Sequence, residues 1–156
     1  MGIESLQVIH VGDSNPEPVA LRFISDDGHG WLAVPLAMLD AVGVASQISR
    51  YSYQGNATAF LEEDCDYSVF VAACRDRGIP LAIVEERVDG LSSVRNMPHY
   101  VPPHAPVTLT SGRTFTHRHI GNGAQEAVAP PGTPDEMTPA EWDEYCALRR
   151  AANKPR

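Results

Sequence analysis

The sequence predicts an α+β fold with a mostly antiparallel sheet in β-β-α-β-β-α-β order, a Pro-rich arm and a C-terminal helix. Three observations carry this expectation. A hairpin pattern passes into a helical one between Tyr51 and Gly78. Hairpins and helices alternate as far as Tyr100, which favours antiparallel pairing beside helices over a layered parallel sheet. From Val101 prolines multiply, large apolar residues thin out, and a capped helix closes the chain. The expected units are a compact domain over 1–100, an arm and linker over 101–137 and a helix over 138–153.

Taken in order, Leu6 to Val11 alternates and reads as a strand, Gly12 to Pro16 as a turn, and Val19 to Ile24 as a second strand. Asp26-Asp-Gly-His-Gly30 breaks that strand. Trp31 to Val42 is expected as a helix, with Leu32, Leu36, Leu39 and Val42 on one face, Pro35 in its first turn and Gly43 as its stop. Ser49 to Tyr53 and Ala57 to Glu62 read as strands joined through Gln54-Gly55-Asn56. Tyr67, Phe70, Val71 and Cys74 then repeat at helical spacing. Asp64 is expected as the N-cap and Asp66 as a first-turn acid, with Gly78 at C′ and Pro80 blocking continuation. Leu81 to Val84 has the unbroken apolar character of a strand buried on both faces, and Ser92 to Asn96 fits one helical turn.

Beyond Val101, Val107 to Phe115 reads as an arm or edge hairpin and Gly121 to Asp135 as a linker. Thr138-Pro-Ala-Glu141 combines a cap, a proline at N1 and a glutamate at N3, which is a capping box. Trp142, Tyr145, Leu148 and Ala152 give the helix an apolar stripe, expected to pack on its own core because isolated helices of this length are marginal.

Charge and composition exclude several classes. Of the net −8, all lies in residues 1–100, which carry fourteen acids and six arginines. Direct binding to a phosphate backbone needs clustered Lys and Arg and is not expected. Lys154 is the single lysine, which removes a lysine nucleophile or P-loop. No apolar run is long enough to cross a membrane, and the expectation is a cytoplasmic protein. Three cysteines without paired spacing (Cys65, Cys74 and Cys146) argue against a disulfide framework. Cys65 sits at a helix start, but its flanking carboxylates oppose a thiolate. No cofactor motif is present.

Three groups of residues could carry chemistry. His29, between two glycines and after two acids, could be held in one tautomer, although turn chemistry alone explains its neighbours. Glu62-Glu-Asp-Cys-Asp66 could supply oxygen ligands or an acid–base pair. Adjacent strand residues point to opposite faces, so a solvated or partner-facing acidic patch is the favoured reading. His117 and His119, spaced i and i+2, share a strand face and with His99 or His104 are weak zinc candidates.

The strings Asp27-Gly-His-Gly-Trp-Leu32, Val34-Pro35, Ile48-Ser49, Tyr51-Ser-Tyr53 and Leu61-Glu-Glu-Asp-Cys-Asp66 together resemble a group of small proteins of bacterial mobile elements: open reading frames of phages, plasmids and integrative elements. The likeness covers about Val19 to Tyr100. It implies a cytoplasmic accessory protein, one that engages host machinery, and brings no activity or catalytic residue with it.

Three functional readings follow. The first is a non-enzymatic module that docks an acidic face (Trp31, Tyr51, Tyr53, Glu62, Glu63, Asp64 and Asp66) on a partner with a basic surface, such as a host defence or nucleic-acid-handling protein. The second is a small metal-dependent hydrolase or nuclease using His29 with Asp64, Asp66 or Glu62. The third is a phage structural component whose arm and C-terminal helix swap between subunits of a homo-oligomer. Docking requires the acids fanned over an open face. Catalysis requires His29 and a carboxylate in one pocket, and swapping requires an arm lying away from its own core.

Overall fold

A computed structural model describes residues 16–120 and 124–152. The expected strand over 6–11 therefore lies outside the described residues. Among these, two sheets and three helices form a mixed α+β architecture. The first sheet has five strands: β1 (Val19–Ser25), β2 (Gly30–Pro35), β3 (Tyr53–Gly55), β4 (Thr58–Glu62) and β5 (Leu81–Arg87). Their order across the sheet is β3-β4-β2-β1-β5, antiparallel throughout except for the β1–β5 pair.

The β-β-α order is as expected, but its second strand comes from residues read as helix. Trp31 to Val34 forms most of β2 at the centre of the sheet, and α1 (Leu36–Ala41) starts only after Pro35. The cause is local. A residue before proline is pushed out of the α region, so Val34 stays extended and the helical spacing of Leu32 with Leu36 is accidental. Burial of β2 on both faces produces the unbroken apolar run. Where the helix does form, its end is as expected. Gly43 takes φ +76°, and Val44 and Gly43 donate to the carbonyls of Leu39 and Asp40, the two bonds of a Schellman end. α2 (Tyr67–Asp76) ends the same way at Gly78.

Residues on one sheet face (Leu21, Leu32, Val34, Ala59 and Leu61) pack against α1 and α2 through Leu36, Leu39, Phe70 and Cys74. The opposite face carries Ile24, Trp31, Ala33 and Phe60, and a 3-10 turn (Ser93–Asn96) brings Val94 and Met97 onto it. This second face holds the candidate site. The strand expected over Ser49 to Tyr53 is shorter than its spacing suggests, since β3 begins at Tyr53. The turn to β4 falls on Asn56 and Ala57, both with positive φ. β5, expected to be buried on both faces, is an edge strand with Ile83 38% and Val84 55% exposed.

The expected arm and linker over 101–137 is instead a folded unit. β6 (Val107–Thr108), β7 (Thr114–Ile120) and β8 (Ala124–Val128) make an antiparallel sheet. α3 (Pro139–Ala152) packs on it through Tyr145, buried against Val107, Leu109 and Phe115. The capping box is formed in both directions: Glu141 N–H donates to Thr138 Oγ1, and Thr138 N–H to Glu141 Oε2. Trp142 and Leu148, expected on the buried stripe, are 54% and 39% exposed. His119 N–H donates to Asp40 of α1, so in the single chain this unit lies on its own core. No helix among the described residues is long and apolar enough to cross a membrane.

Candidate functional site

The site is built by the register of β2 and β4. Trp31 lies opposite Glu62, and Ala33 opposite Phe60. Trp31 and Glu62 therefore project from the same sheet face, with Tyr53 edge-on to the Trp31 ring at 6.3 Å. His29, just before β2, comes to the same end of the strand pair. Together His29, Trp31, Tyr51, Tyr53, Glu62, Asp64, Cys65 and Arg95 enclose a pocket of about 270 Å³.

Asp26 holds one wall. Its buried carboxylate accepts from the backbone N–H groups of Gly28 and His29, which closes the turn that presents His29. It also accepts from Ser92 N–H and, in a two-point ion pair, from Arg95 Nε and Nη2 at 2.7 and 2.9 Å. The Arg95 guanidinium, aided by those backbone donors, holds the Asp26 carboxyl well below the usual range against the opposing effect of burial. One buried acid thus fixes the histidine turn and places Arg95 5.3 Å over the Trp31 ring. The sequence leaves open that the adjacent acids, Asp26 and Asp27, hold the imidazole of His29. The carboxylate beside that ring is instead Glu62, with Oε1 3.6 Å from Nδ1.

The acidic string divides by burial. Glu62 and Asp66 are 8% and 2% exposed, whereas Glu63, Asp64 and Cys65 are exposed. Glu62 Oε2 accepts from the N–H groups of Asp64 and Cys65, so Glu62, and not Asp64, satisfies the turn ahead of α2. Asp66 immediately precedes α2 without capping it. It accepts from Ser49 N–H and Oγ, and from Ser52 Oγ at 2.5 Å, and Ser52 Oγ accepts from Glu62 N–H. This chain of bonds ties the Ser49–Ser52 turn, which carries Tyr51, to the acidic end of β4. Trp31, Glu62 and Asp66, expected on a docking face, are therefore interior residues. Tyr51 (67% exposed), Glu63 and Asp64 remain on the surface, and Tyr53 is half-buried.

Cys65 lines the pocket, but burial first, and then the Glu62 hydrogen bond and the charges of Glu62, Asp66 and Asp64, push its thiol up. Trp31 carries an indole N–H that is buried without an acceptor among the described residues. One ligand-type atom from each of His29, Glu63 and Asp64 lies within 4.8 Å of the others, a donor set that a divalent cation could use.

The weak zinc candidates are differently employed. His117 Nδ1 faces the His104 carbonyl and its Nε2 lies 2.6 Å from Tyr145 Oη. His119 Nδ1 faces Asp40 and its Nε2 the Val101 carbonyl. They share a buried strand face as expected, but each ring spends both nitrogens on protein partners. A larger hollow of about 720 Å³ between α1 and β7 is lined by these same histidines. The smaller pocket, with its exposed imidazole and carboxylates, is the better site for chemistry.

Sequence reading missed Arg95 and Ser52. Arg95 lies 69 residues from Asp26, and no local pattern links the two. Ser52 is a small residue between two tyrosines, and no local pattern marks it. Compared with known proteins, the chain matches no family model, no curated protein and no solved structure.

Proposed function

We propose that the protein is a small hydrolase whose reaction centre is His29 with the carboxylates of Glu62, Glu63 and Asp64. The observation that carries this reading is convergence: an imidazole, 47% exposed at its side chain, shares a pocket with Glu62 3.6 Å from Nδ1 and with Asp64. A carboxylate beside Nδ1 favours the proton there and leaves Nε2 as the basic atom. Nε2 then takes a proton from an attacking water; a divalent cation, were one bound, would be held by the His29 ring with Glu63 and Asp64 and would acidify that water.

The test is turnover of chromogenic phosphodiesters and carboxylic esters by wild type and His29→Ala, with and without Mn²⁺. Turnover should fall about a hundredfold or more in the variant, as loss of a general base or metal ligand requires. A wild type inert on the whole panel, or a variant as active as wild type, would overturn the proposal.

A second reading keeps one observation of its own. Tyr51 and Asp64 line the pocket and are exposed, and Glu63, next to Asp64 in the acidic string, is exposed as well, as docking on a basic partner requires. Retention of a basic host protein that survives His29→Ala and is lost in Glu63→Lys/Asp64→Lys would favour it.

A further inference from the structure

We propose that two copies of the chain pair antiparallel through the free edge of β5, joining their five-stranded sheets across a two-fold axis at Ile83. β5 ends the sheet, and every residue from Ala82 to Arg87 is exposed. Its first half, Leu81 to Val84, is apolar, and the strand contains neither lysine nor proline, the usual guards of an open edge. The charges of its second half turn back toward β1 and the turn after it. Glu86 pairs with Arg22 at 3.0 Å, Glu85 accepts from Ser25 Oγ at 3.2 Å, and Arg87 pairs with Asp27 at 2.7 Å. The backbone phase is fixed at both ends of the strand. Val19 N–H donates to the Pro80 carbonyl and Val88 N–H to that of Ser25, so the even-numbered residues of β5 face β1. Leu81, Ile83 and Glu85 turn their N–H and C=O groups outward, and among the described residues no backbone bond reaches them.

The edge is complementary to itself. Leu81 and Ile83 share the sheet face that carries α2, and with Val71, Arg75 and Ile79 they line a hollow beside the edge. Arg75 is exposed, and none of the ion pairs among the described residues uses it. With Ile83 on the axis, Ile83 lies opposite Ile83 of the second copy, and Leu81 opposite Glu85 of the second copy. The outward-facing residues then form the hydrogen-bonded pairs, about six backbone bonds in all. Glu85 of the second copy comes beside Arg75, and symmetry repeats that contact. The charges select this register. One register step in one direction sets Arg87 of the second copy opposite Leu81, against Arg75, and a further step sets Glu85 against Glu85. A step in the other direction carries Glu85 past the start of the facing strand, to Ile79. A second copy supplies both halves of the pattern, apolar against apolar and acid against base, which favours it over an unrelated extended segment. No residue of this edge lines the proposed reaction pocket, so the two readings are tested separately.

The experiment is sedimentation velocity of the full chain from about 1 to about 500 µM, with amide hydrogen exchange measured at both concentrations. An edge-to-edge contact is small, so a weak dimer is expected, with a share that rises with concentration. The Leu81, Ile83 and Glu85 amides should exchange fast when dilute and at least tenfold more slowly when concentrated. Those of Ala82, Val84 and Glu86, bonded to β1, should be slow throughout. Ile83→Lys brings two like charges together on the axis and should weaken association at least tenfold. Ile83→Cys in a Cys65→Ser background should give a disulfide-linked dimer on mild oxidation, and Cys65→Ser alone should not. Facing positions of a hydrogen-bonded pair lie about 5.5 Å apart, within disulfide reach. A chain monomeric throughout, a dimer indifferent to Ile83→Lys, or no cross-link in Ile83→Cys would each overturn the proposal. Slow exchange at Leu81, Ile83 and Glu85 in the dilute monomer would overturn it too, and would assign the edge to another segment of the same chain.

Discussion

Removal of the Asp66 carboxylate should cost more stability than any other single change at the acidic string, although sequence reading placed this residue on the surface. Asp66 is 2% exposed and accepts from three donors: Ser49 N–H, Ser49 Oγ and Ser52 Oγ. A hydrogen bond to a charged acceptor contributes about 1.5–3 kcal/mol, and a buried donor left unpaired costs about as much. Ser52 is fully buried, so its hydroxyl belongs at the upper end, about 2–3 kcal/mol. Ser49 is half-buried, and water can replace much of what it loses, so its two donors together add about 1 kcal/mol. Asp66→Ala should therefore destabilise the fold by about 3–4 kcal/mol. For a chain of this length that is roughly 10 °C in Tm, and a large share of a typical 5–15 kcal/mol. Asp66→Asn keeps one acceptor oxygen and turns an amide N–H₂ against a donor, at about 1–2 kcal/mol. Urea unfolding followed by tryptophan fluorescence measures both, with an unchanged slope showing that stability rather than compactness has changed. In a double-mutant cycle, Ser52→Ala and Asp66→Ala should be strongly non-additive, because each removes the same bond. An Asp66→Ala loss below about 1 kcal/mol, or additivity with Ser52→Ala, would refute the bond network.

Other expectations follow from the same geometry. At Gly30, a Cβ would lie 2.3 Å from Phe23 Cζ and 2.9 Å from Glu63 Oε2, so Gly30→Ala should cost about 1–3 kcal/mol and displace the acidic turn. Unchanged stability in urea would show that Phe23 yields freely. His117 and His104 are both held below the ordinary histidine range, by burial first and by Arg149 second. The groups around His117 are Arg149 and Tyr145 of α3 and the His104 segment. Because their folded pKa values lie under the unfolded value of about 6.5, the unfolded chain takes up protons that the folded chain refuses. Stability should be full above about pH 7.5 and should fall as pH drops through 6.5 and below. Urea midpoints at pH 7.5, 6.5 and 5.5 should show this, with a shallower slope in His117→Gln, and an equal slope would place the titration elsewhere. The raised Cys65 thiol should react with iodoacetamide at pH 7 more slowly than a free cysteine, and faster in Asp64→Asn, whereas Cys74 is buried and should not react. Free-cysteine rates in wild type would contradict the local electrostatics.

How much was legible in the sequence differs by scale. Helix ends were readable, because Gly43 and Gly78 meet a local backbone demand that few other residues can satisfy. The capping box at Thr138 was readable for the same reason. The strand nature of Trp31 to Val34 was hidden, because a central strand buried on both faces has no alternation and borrowed helical spacing from the residues after Pro35. The sheet of β6 to β8 was obscured by its prolines, which lie mostly in the connections. At the site, His29 and the acidic string were visible as candidates, but their division into interior and surface was not. That division depends on Ser49, Ser52 and Arg95, which meet Asp66 and Asp26 through the tertiary fold. The fold brings His29, Glu62 and Asp64 to one pocket while Tyr51, Glu63 and Asp64 stay exposed.

The measurement that bears most directly on the central claim, that Glu62 and His29 act as a unit, is the tautomer of His29 in long-range ¹H–¹⁵N spectra of wild type and Glu62→Gln. Glu62 beside Nδ1 should keep the neutral ring protonated there, with Nε2 bare, and the preference should weaken in the variant. A ring protonated at Nε2, or one indifferent to the loss of the Glu62 charge, would mean that His29 is a surface histidine in a tight turn and that the pocket has no base.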